Sequence, residues 1–207
     1  MPRDARRAQV LRVARDLFAA EGYHHVSMDD IADRTEVSKP VLYRHFPSKL
    51  DLYLAVIDQR GADLITAIDA AIAPIECGVI DPADGRAVVA AIIRAYVDFV
   101  DGGGESWTLL FESDVTRDTD VRTRVEHAAS EAARRVAAIL VDVTGLAPES
   151  ATMLAASLTA MAQAAATHRT RAPSGPGPKA AADLVARLAW GGIEGLLRPD
   201  VRTGGSA

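Results

Sequence analysis

The residues best suited to chemistry in this sequence are basic and aromatic side chains that crowd into one short segment. The stretch EVSKPVLYRHFPSKLDLY, residues 36–53, interleaves them with apolar residues. On a helix, this spacing would turn Val41, Leu42 and Phe46 toward a core and leave the polar residues on the other side. That polar set comprises Lys39, Tyr43, Arg44 and His45. Cations and a phenol hydroxyl on one helical face are suited to the phosphate backbone of a nucleic acid.

The helix that would carry this face is too short to be stable alone, because nucleation costs more free energy than so few hydrogen bonds return. Ser38 is a typical N-cap, the helix would run from Lys39 to Phe46, and Pro47 would end it. Two further helices, expected over residues 6–21 and 28–35, precede it, with residues 36–38 as the turn. This order predicts a helix-turn-helix whose third helix enters the major groove of DNA. The alternative is that three short amphipathic helices only cover one end of a bundle.

Charge is distributed unevenly along the chain. Residues 1–49 carry nine Lys/Arg and seven Asp/Glu, a net of +2, whereas residues 50–207 carry fourteen and twenty-one, a net of −7. Basic residues are densest in the first fifteen positions, where Asp4 is the one acidic residue among five arginines at positions 3, 6, 7, 12 and 15. A small nucleic-acid-reading module attached to an acidic body would show this pattern.

The whole chain is predicted to be all-α, because apolar residues recur at helical spacing and strand-like alternation is absent. Beyond the helix-turn-helix, we expect a long helix from Ser48 to Pro74. Further helices are expected over residues 86–101, 105–116, 120–144, 148–171 and 180–197, which makes about nine in all. The pattern predicts a helix-turn-helix domain at residues 1–50 and a larger helical bundle at residues 51–207.

Several functional classes lack support in the sequence. Cys77 is the only cysteine, which excludes an internal disulfide and a cysteine-based metal cluster. His24 and His25 could suggest a metal ligand pair, but no suitable partners accompany them, and we predict neither metal nor cofactor. No nucleophile elbow, phosphate-cradling glycine loop or paired Glu-x-x-His motif indicates an enzyme. No apolar run is long enough for a membrane span or a signal peptide, so we expect a cytoplasmic protein.

Residues 10–57 resemble the DNA-binding domain of the TetR family of bacterial regulators. The resemblance rests on Phe18 and Gly22 near the end of the first helix, on Ile31–Ala32 in the second, and on the segment VSKPVLYRHFPSK. It implies that the first three helices read DNA and that the fourth links them to a C-terminal body that binds an effector and dimerises. The partners implied are an inverted-repeat operator and a second copy of the chain.

The resemblance also implies which residues touch DNA. The positions at which the family contacts DNA, chiefly phosphates, correspond to Ser38, Lys39, Tyr43, His45 and Lys49. Ser27 and the N-terminus of the second helix can offer N–H groups to a further phosphate. The expected base contacts are Lys39, Pro40, Val41 and Arg44, with Pro40 or Val41 suited to a thymine methyl. Asp29 departs from relatives that place an arginine there for guanine, so that contact is expected to be absent.

The rest of the chain is similar to one branch of the family. VSKPVLYRHFPSKLDLYLAV, LLFESDVTRD and LAWGG resemble the actinobacterial TetR regulators of fatty-acid synthesis, which respond to long-chain acyl-CoA. This implies an operator released by a small hydrophobic effector, with long-chain acyl-CoA as the expected ligand, in the control of lipid metabolism. One alternative is a TetR-type repressor of an efflux or catabolic operon that responds to another apolar or aromatic ligand. A DNA-binding protein without an effector is a second.

Two sets of residues are expected to serve the effector and the dimer. The residues expected to line the effector slot are Ile72, Ile92, Tyr96, Phe99, Trp107, Leu110, Phe111 and Met161, with a coenzyme A head near Arg117, Arg122 or Arg124. Those expected at the dimer surface are Leu154, Leu158, Met161, Trp190, Gly191 and Leu196, on two helices whose small residues permit close approach. Ordinary core packing is the alternative for both sets.

Overall fold

A computed structural model of the chain describes residues 2–79, 81, 84–103, 106, 108–111, 115, 118–172 and 174–193. These residues form nine helices and no strand, which confirms the all-α prediction. In chain order the helices are α1 (Arg3–Glu21), α2 (Met28–Thr35), α3 (Lys39–His45), α4 (Lys49–Glu76), α5 (Gly85–Gly102), α6 (Thr108–Phe111), α7 (Thr119–Thr144), α8 (Pro148–Arg171) and α9 (Pro178–Ile193).

The helix-turn-helix is organised by local caps and turns. Ser27 and Asp30 close a capping box at the start of α2, as their three-residue spacing predicts. Glu36 ends α2 in the left-handed conformation with φ 53°, and the Val37 N–H donates to the Ala32 carbonyl at 3.0 Å. After this turn, α3 begins at Lys39. α1 begins at Arg3 rather than at residue 6, which brings more of the N-terminal arginines onto a regular helix.

The helices of the chain pack into two compact units. The first unit contains the residues up to Asp63 and those from Gly103 to Ala128; the second contains Leu64–Gly102 and the residues from Ala129 onward. Tyr53 on α4 is fully buried, with its ring centroid 5.1 Å from that of Phe18 and 4.9 Å from that of Tyr23. Because these aromatic contacts join α4 to α1, the beginning of α4 packs with the first three helices.

α4 also continues past the proline that was expected to end it. Pro74 lies inside the helix, which runs to Glu76. The proline removes one backbone N–H, yet the next turn still closes, since the Cys77 N–H donates to the Ala73 carbonyl at 2.9 Å. Two residues after the end of the helix, Gly78 adopts the left-handed conformation with φ 71°.

The second unit is built around α5, which packs against α8 and α9. Ile92, Ile93 and Val97 of α5 are fully buried, and α8 contributes the small residues Ala155 and Ala162. Ion pairs at the surface join α5 to both neighbours, between Arg94 and Asp183 at 3.6 Å and between Arg169 and Asp101. Small residues on α8 allow the helix axes to approach closely, which explains its alanine-rich sequence.

Two predicted helices fall partly outside the described residues. The helix expected over residues 105–116 is described only as α6, because 104–105, 107, 112–114 and 116–117 lie outside the description. The last helix begins at Pro178, two residues before its predicted start at 180. Its predicted end at residue 197 lies outside the described part of the chain.

Candidate nucleic-acid interface

α3 presents the polar face that its sequence predicts. Leu42 and Phe46 are buried against the other helices of the first unit. The exposed residues of the segment are Ser38, Lys39, Pro40, Tyr43 and Arg44, while Val41 and His45 are half-buried at its edge. A helix of seven residues is therefore held by its buried side, and its cationic and hydroxyl groups remain accessible.

The two serines that precede α2 and α3 differ in the state of their hydroxyl groups. Ser38 makes no side-chain capping bond; its carbonyl accepts from the N–H groups of Val41 and Leu42. Ser27 instead donates its hydroxyl to Asp30 Oδ2 at 2.6 Å, and its N–H donates to the same oxygen at 2.8 Å. These bonds lower the pKa of Asp30, which keeps a negative charge in the first turn of α2. Of the two serines, Ser38 is the better placed to meet a phosphate.

Lys39 and Asp29 form an ion pair between α3 and α2. Lys39 Nζ lies 2.8 Å from Asp29 Oδ2, and both side chains are 58% exposed. The hydrogen bond to Asp29 and its charge raise the pKa of Lys39. The sequence analysis treated Asp29 only as a lost contact, whereas the structure places it beside a residue expected to touch DNA.

Lys49 uses its ammonium group inside the first unit. Its Nζ donates to the carbonyls of Tyr23 and Val26, both at 3.0 Å, and lies 4.3 Å from the centre of the Tyr23 ring. An ammonium group has three protons, so two carbonyls and one aromatic face satisfy all of them. In the protein without DNA, Lys49 thus stabilises the loop between α1 and α2.

A cationic cleft lies where the start of α1 meets α3. It has a volume of about 570 Å³ and is lined by Arg3, Arg6, Val41, Arg44 and His45. Arg6 donates to Gln9 Oε1 at 2.9 Å, and Gln9 Nε2 donates to the Thr35 carbonyl at 3.3 Å, which ties the arginine to the end of α2.

The surroundings of this cleft lower the pKa of His45. Burial lowers the pKa of His45, and the nearby charges of Arg3, Arg44 and Arg7 lower it further. The sequence analysis counted the N-terminal arginines without placing them beside α3. The available signal was helical spacing, since residues 3, 6 and 7 share one side of a helix that starts at residue 3.

The residues expected to line the effector slot are divided between the two units. Ile72, Ile92, Tyr96 and Phe99 are buried in the second unit, where Met161 is half-buried, and Leu110 is buried in the first. Trp107 and the side chain of Phe111 lie outside the described residues, as does Arg117. Arg122 pairs with Glu126 at 3.9 Å, and Arg124 pairs with Asp58.

Two features of the second unit bear on an apolar ligand. Tyr96 is buried and hydrogen-bonded to Thr159, and burial raises its pKa to about 12. A groove of about 510 Å³ between α4 and α5 is lined mainly by Ala67, Ala70, Ala71, Pro74, Ala91, Ala95 and Phe99, with Arg94 and Asp98 as its charged residues. The groove includes Phe99 of the predicted slot.

The apolar surface of α8 and α9 differs from the predicted dimer set. Leu158 is 3% exposed and belongs to the core of its own chain. Leu154, Met161 and Trp190 are half-buried, Gly191 is exposed, and Leu196 lies outside the described residues. The large apolar side chains that do face outward on these helices are Met153, Leu184 and Leu188, at 65%, 54% and 69% exposure. Helical periodicity in the sequence placed Leu158 in the dimer set, although it lies on the buried side of α8, whereas Met153 is the large apolar residue on its exposed side.

Within the described residues, no group of three or more His, Cys, Asp or Glu side chains is placed to hold a metal ion. The helices of that part of the chain include none that is long and apolar enough to cross a membrane.

Comparisons with known proteins show similarity both at the N-terminal helices and over most of the chain. A family model described as "Bacterial regulatory proteins, tetR family" matches residues 10–56. The HTH-type transcriptional activator FasR of Mycolicibacterium smegmatis is 33% identical over 193 residues, which are 93% of this chain and 85% of that protein. A TetR-like regulator from Rhodococcus sp. RHA1 has a TM-score of 0.72 at 30% identity, covering 94% of this chain and 99% of that one.

A fold likeness extends to a more distant protein. FadR of Bacillus subtilis, crystallised in complex with stearoyl-CoA, has a TM-score of 0.73 at 15% identity and covers 90% of this chain and 98% of its own. At that identity the two proteins share the fold.

Proposed function

Because this chain belongs to the TetR family of bacterial regulatory proteins and is a transcriptional regulator, not an enzyme, we propose that it binds an inverted-repeat operator as a homodimer in the cytoplasm and that a small hydrophobic effector releases it. The observation that carries the DNA-binding proposal is the accessible polar face of α3, held in place by Leu42 and Phe46. Such a face can enter the major groove while its neighbours contact the backbone.

Within this proposal, the contacts divide into two kinds. Ser38 and Tyr43 bring hydroxyl groups to phosphates, and the cleft lined by Arg3 and Arg6 adds positive charge beside them. Arg44 is exposed and can donate to guanine, while Pro40 or Val41 can meet a thymine methyl. In a dimer, the two α3 helices would occupy successive major grooves about 34–36 Å apart, or a multiple of that spacing.

Binding-site selection from random duplexes, followed by footprinting, tests the proposal. An inverted repeat protected on one face of the DNA is the expected result. Tyr43→Phe should weaken binding to all sequences, whereas Arg44→Ala should relax the preference at particular base pairs. A monomer bound to one asymmetric half-site would contradict the dimeric mode, and an equal loss by Arg44→Ala on specific and random DNA would contradict its role in base reading.

The effector is proposed to be a long-chain acyl-CoA. The apolar groove between α4 and α5 and the buried Tyr96 lie in the second unit, which offers a largely uncharged environment for a hydrocarbon chain. The likeness to a regulator crystallised with stearoyl-CoA motivates this choice of ligand. A polyanionic coenzyme A head would remain at the protein surface, because burial of its charges is costly.

Release requires the effector to favour a state that binds DNA less well, since a ligand shifts an equilibrium only by its differential affinity for two states. α4 runs without interruption from Lys49 to Glu76 and contributes residues to both units. We assign it the role of carrying the change to the DNA-reading helices. This role is the same whether the DNA-bound regulator represses or activates transcription.

A series of acyl-CoA esters of increasing length, titrated against the operator complex, tests the effector. Each buried CH₂ contributes about 0.8 kcal/mol, so release should become more effective with chain length until the site is filled. Free coenzyme A is the matched control and should not release DNA. Release by aromatic or efflux-type compounds, with no response to any acyl-CoA, would favour the alternative of an efflux or catabolic regulator.

A further inference from the structure

Asp29 and Lys39 lie side by side on the exposed surface that α2 and α3 share. Their charged atoms are 2.8 Å apart, and 58% of each side chain is exposed to solvent. Exposed ion pairs of this kind contribute little to stability. A carboxylate also repels DNA phosphates, so its presence on this surface needs another explanation.

The local structure fixes both side chains relative to the start of α3. The capping box of Ser27 and Asp30 places Asp29 at the second position of α2. The left-handed residue Glu36 sets the angle at which the chain enters α3, and Lys39 is the first residue of that helix. Residues at the start of a recognition helix are the ones that contact base edges.

We propose that Asp29 and Lys39 together form a binding site for one base pair in the major groove, and that the pair they select is C·G with cytosine facing Asp29. The inference rests on the proposed function, because it requires α3 to enter an operator groove. It assigns Asp29 a contact with a base, whereas the sequence predicted only the loss of a guanine contact.

The chemistry of the two groups matches this base pair. On the major-groove edge, cytosine presents the N4 amino donor and guanine presents the O6 and N7 acceptors. N4 and O6 are hydrogen-bonded to each other and therefore lie about 2.9 Å apart. The carboxylate oxygen and the ammonium nitrogen are separated by nearly the same distance, 2.8 Å. Asp29 can accept from N4 while Lys39 donates to O6, and a further ammonium proton remains for N7.

The other three base pairs match less well. A G·C or T·A pair in the same place sets the carboxylate against a keto oxygen and the ammonium against an amino group. An A·T pair has the amino and keto groups in the right order, but its N7 acceptor lies beside Asp29 and the thymine methyl beside Lys39. A well-matched contact of this type discriminates between base pairs by about 5-fold to 100-fold.

Exchanging the two residues is the most direct test. The double variant Asp29→Lys with Lys39→Asp keeps the ion pair and the net charge but reverses donor and acceptor. In binding-site selection from random duplexes, the wild type should show C at one position of each half-site, and the exchanged variant should show G there. An unchanged motif would overturn the proposal, because a purely structural ion pair tolerates the exchange.

A milder variant tests the same idea if the exchange impairs folding. Asp29→Asn both donates and accepts, which suits adenine N6 and N7, so the selected base should move from C toward A. Asp33→Asn removes the same charge from another exposed position of α2 and is the matched control. If both variants altered affinity equally and left every position of the motif unchanged, Asp29 would act only through its charge and the assignment would be wrong.

The selection also separates this inference from the proposed function. If the wild type enriched no sequence, operator binding itself would fail. An enriched inverted repeat that does not respond to Asp29 variants would overturn the base-pair assignment alone.

Discussion

The ammonium group of Lys49 is enclosed by acceptors of its own domain, although the family resemblance assigns it to a phosphate. We predict that Lys49→Met destabilises the chain by about 1–3 kcal/mol, because the carbonyls of Tyr23 and Val26 lose a charged donor. The salt dependence of operator binding should stay close to that of the wild type. Denaturant unfolding and affinity measured across a salt series give the two quantities separately.

The opposite result would restore the phosphate assignment for Lys49. In that case the slope of log affinity against log salt would fall by about 0.9 and stability would hardly change. Arg3→Gln is the matched control, since Arg3 lines the cationic cleft and is exposed. Its loss should lower the salt slope and leave stability unchanged.

His45 is predicted to make operator binding depend on pH. In the free protein, burial and the charges of Arg3, Arg44 and Arg7 lower its pKa below the ordinary 6.5, with Asp4 opposing them. A phosphate placed beside the ring raises the pKa, so binding takes up a proton. Affinity should therefore increase as the pH falls through the bound pKa and become constant below the free pKa.

Operator affinity measured at constant ionic strength across this range, for the wild type and His45→Gln, tests the assignment. The variant should lose most of the pH dependence. If it retained the full dependence, another titrating group would be responsible and His45 would not lie beside a phosphate.

At the scale of elements, sequence predicted most of the fold and only part of its detail. Helical periodicity and caps such as Ser27 located all nine helices, because those signals are local. Spacing alone identified Leu42 and Phe46 as the buried residues of α3, but it also assigned Val41 to the core, and Val41 is only half-buried. Periodicity could not show that α4 continues through Pro74, since one missing N–H near a helix end costs little. Nor could it place Arg3 beside His45, because that proximity depends on how α1 and α3 pack.

The turn between α2 and α3 provides a test at this scale. Glu36 has φ 53°, a conformation that is unfavourable for residues with a Cβ and most unfavourable for β-branched ones. Glu36→Val should destabilise the chain by about 1–2 kcal/mol, whereas Glu36→Gly should leave stability unchanged or raise it slightly. Thermal unfolding of the two variants gives this comparison, and equal effects would show that the turn does not require the left-handed conformation.

At the scale of the whole molecule, sequence separated a basic end from an acidic body, but it did not show which apolar residues of α8 are exposed in the protomer. Leu158 has the spacing of an interface residue and is nevertheless buried within its own chain. Burial in a bundle depends on which neighbours cover a helix, and both stripes of α8 are rich in small and apolar residues. The exposed stripe became recognisable only once α5 and α9 were in place.

We therefore predict that the dimer forms through Met153, Leu184 and Leu188. Leu184 and Leu188 lie one helical turn apart on α9, so they form one exposed apolar strip. The double variant Leu184→Glu with Leu188→Glu should be monomeric, because association would bury two charges on each chain without partners. Val79→Glu introduces the same charge at another exposed apolar residue and should remain dimeric.

The same surface should determine how tightly the operator is bound. A dimer engages two half-sites at once, and linking two binding events raises the overall affinity by about 10²–10⁴-fold, so the monomeric variant should lose a factor of that order. Gly191 offers an independent probe, since a Cβ at this position meets no atom of the described residues within 4 Å. Gly191→Leu should therefore leave the helix content unchanged while it weakens dimerisation. Sedimentation and operator titration of these variants measure both effects, and a Leu184→Glu/Leu188→Glu variant that stayed dimeric at micromolar concentration would show that the partner chain binds elsewhere.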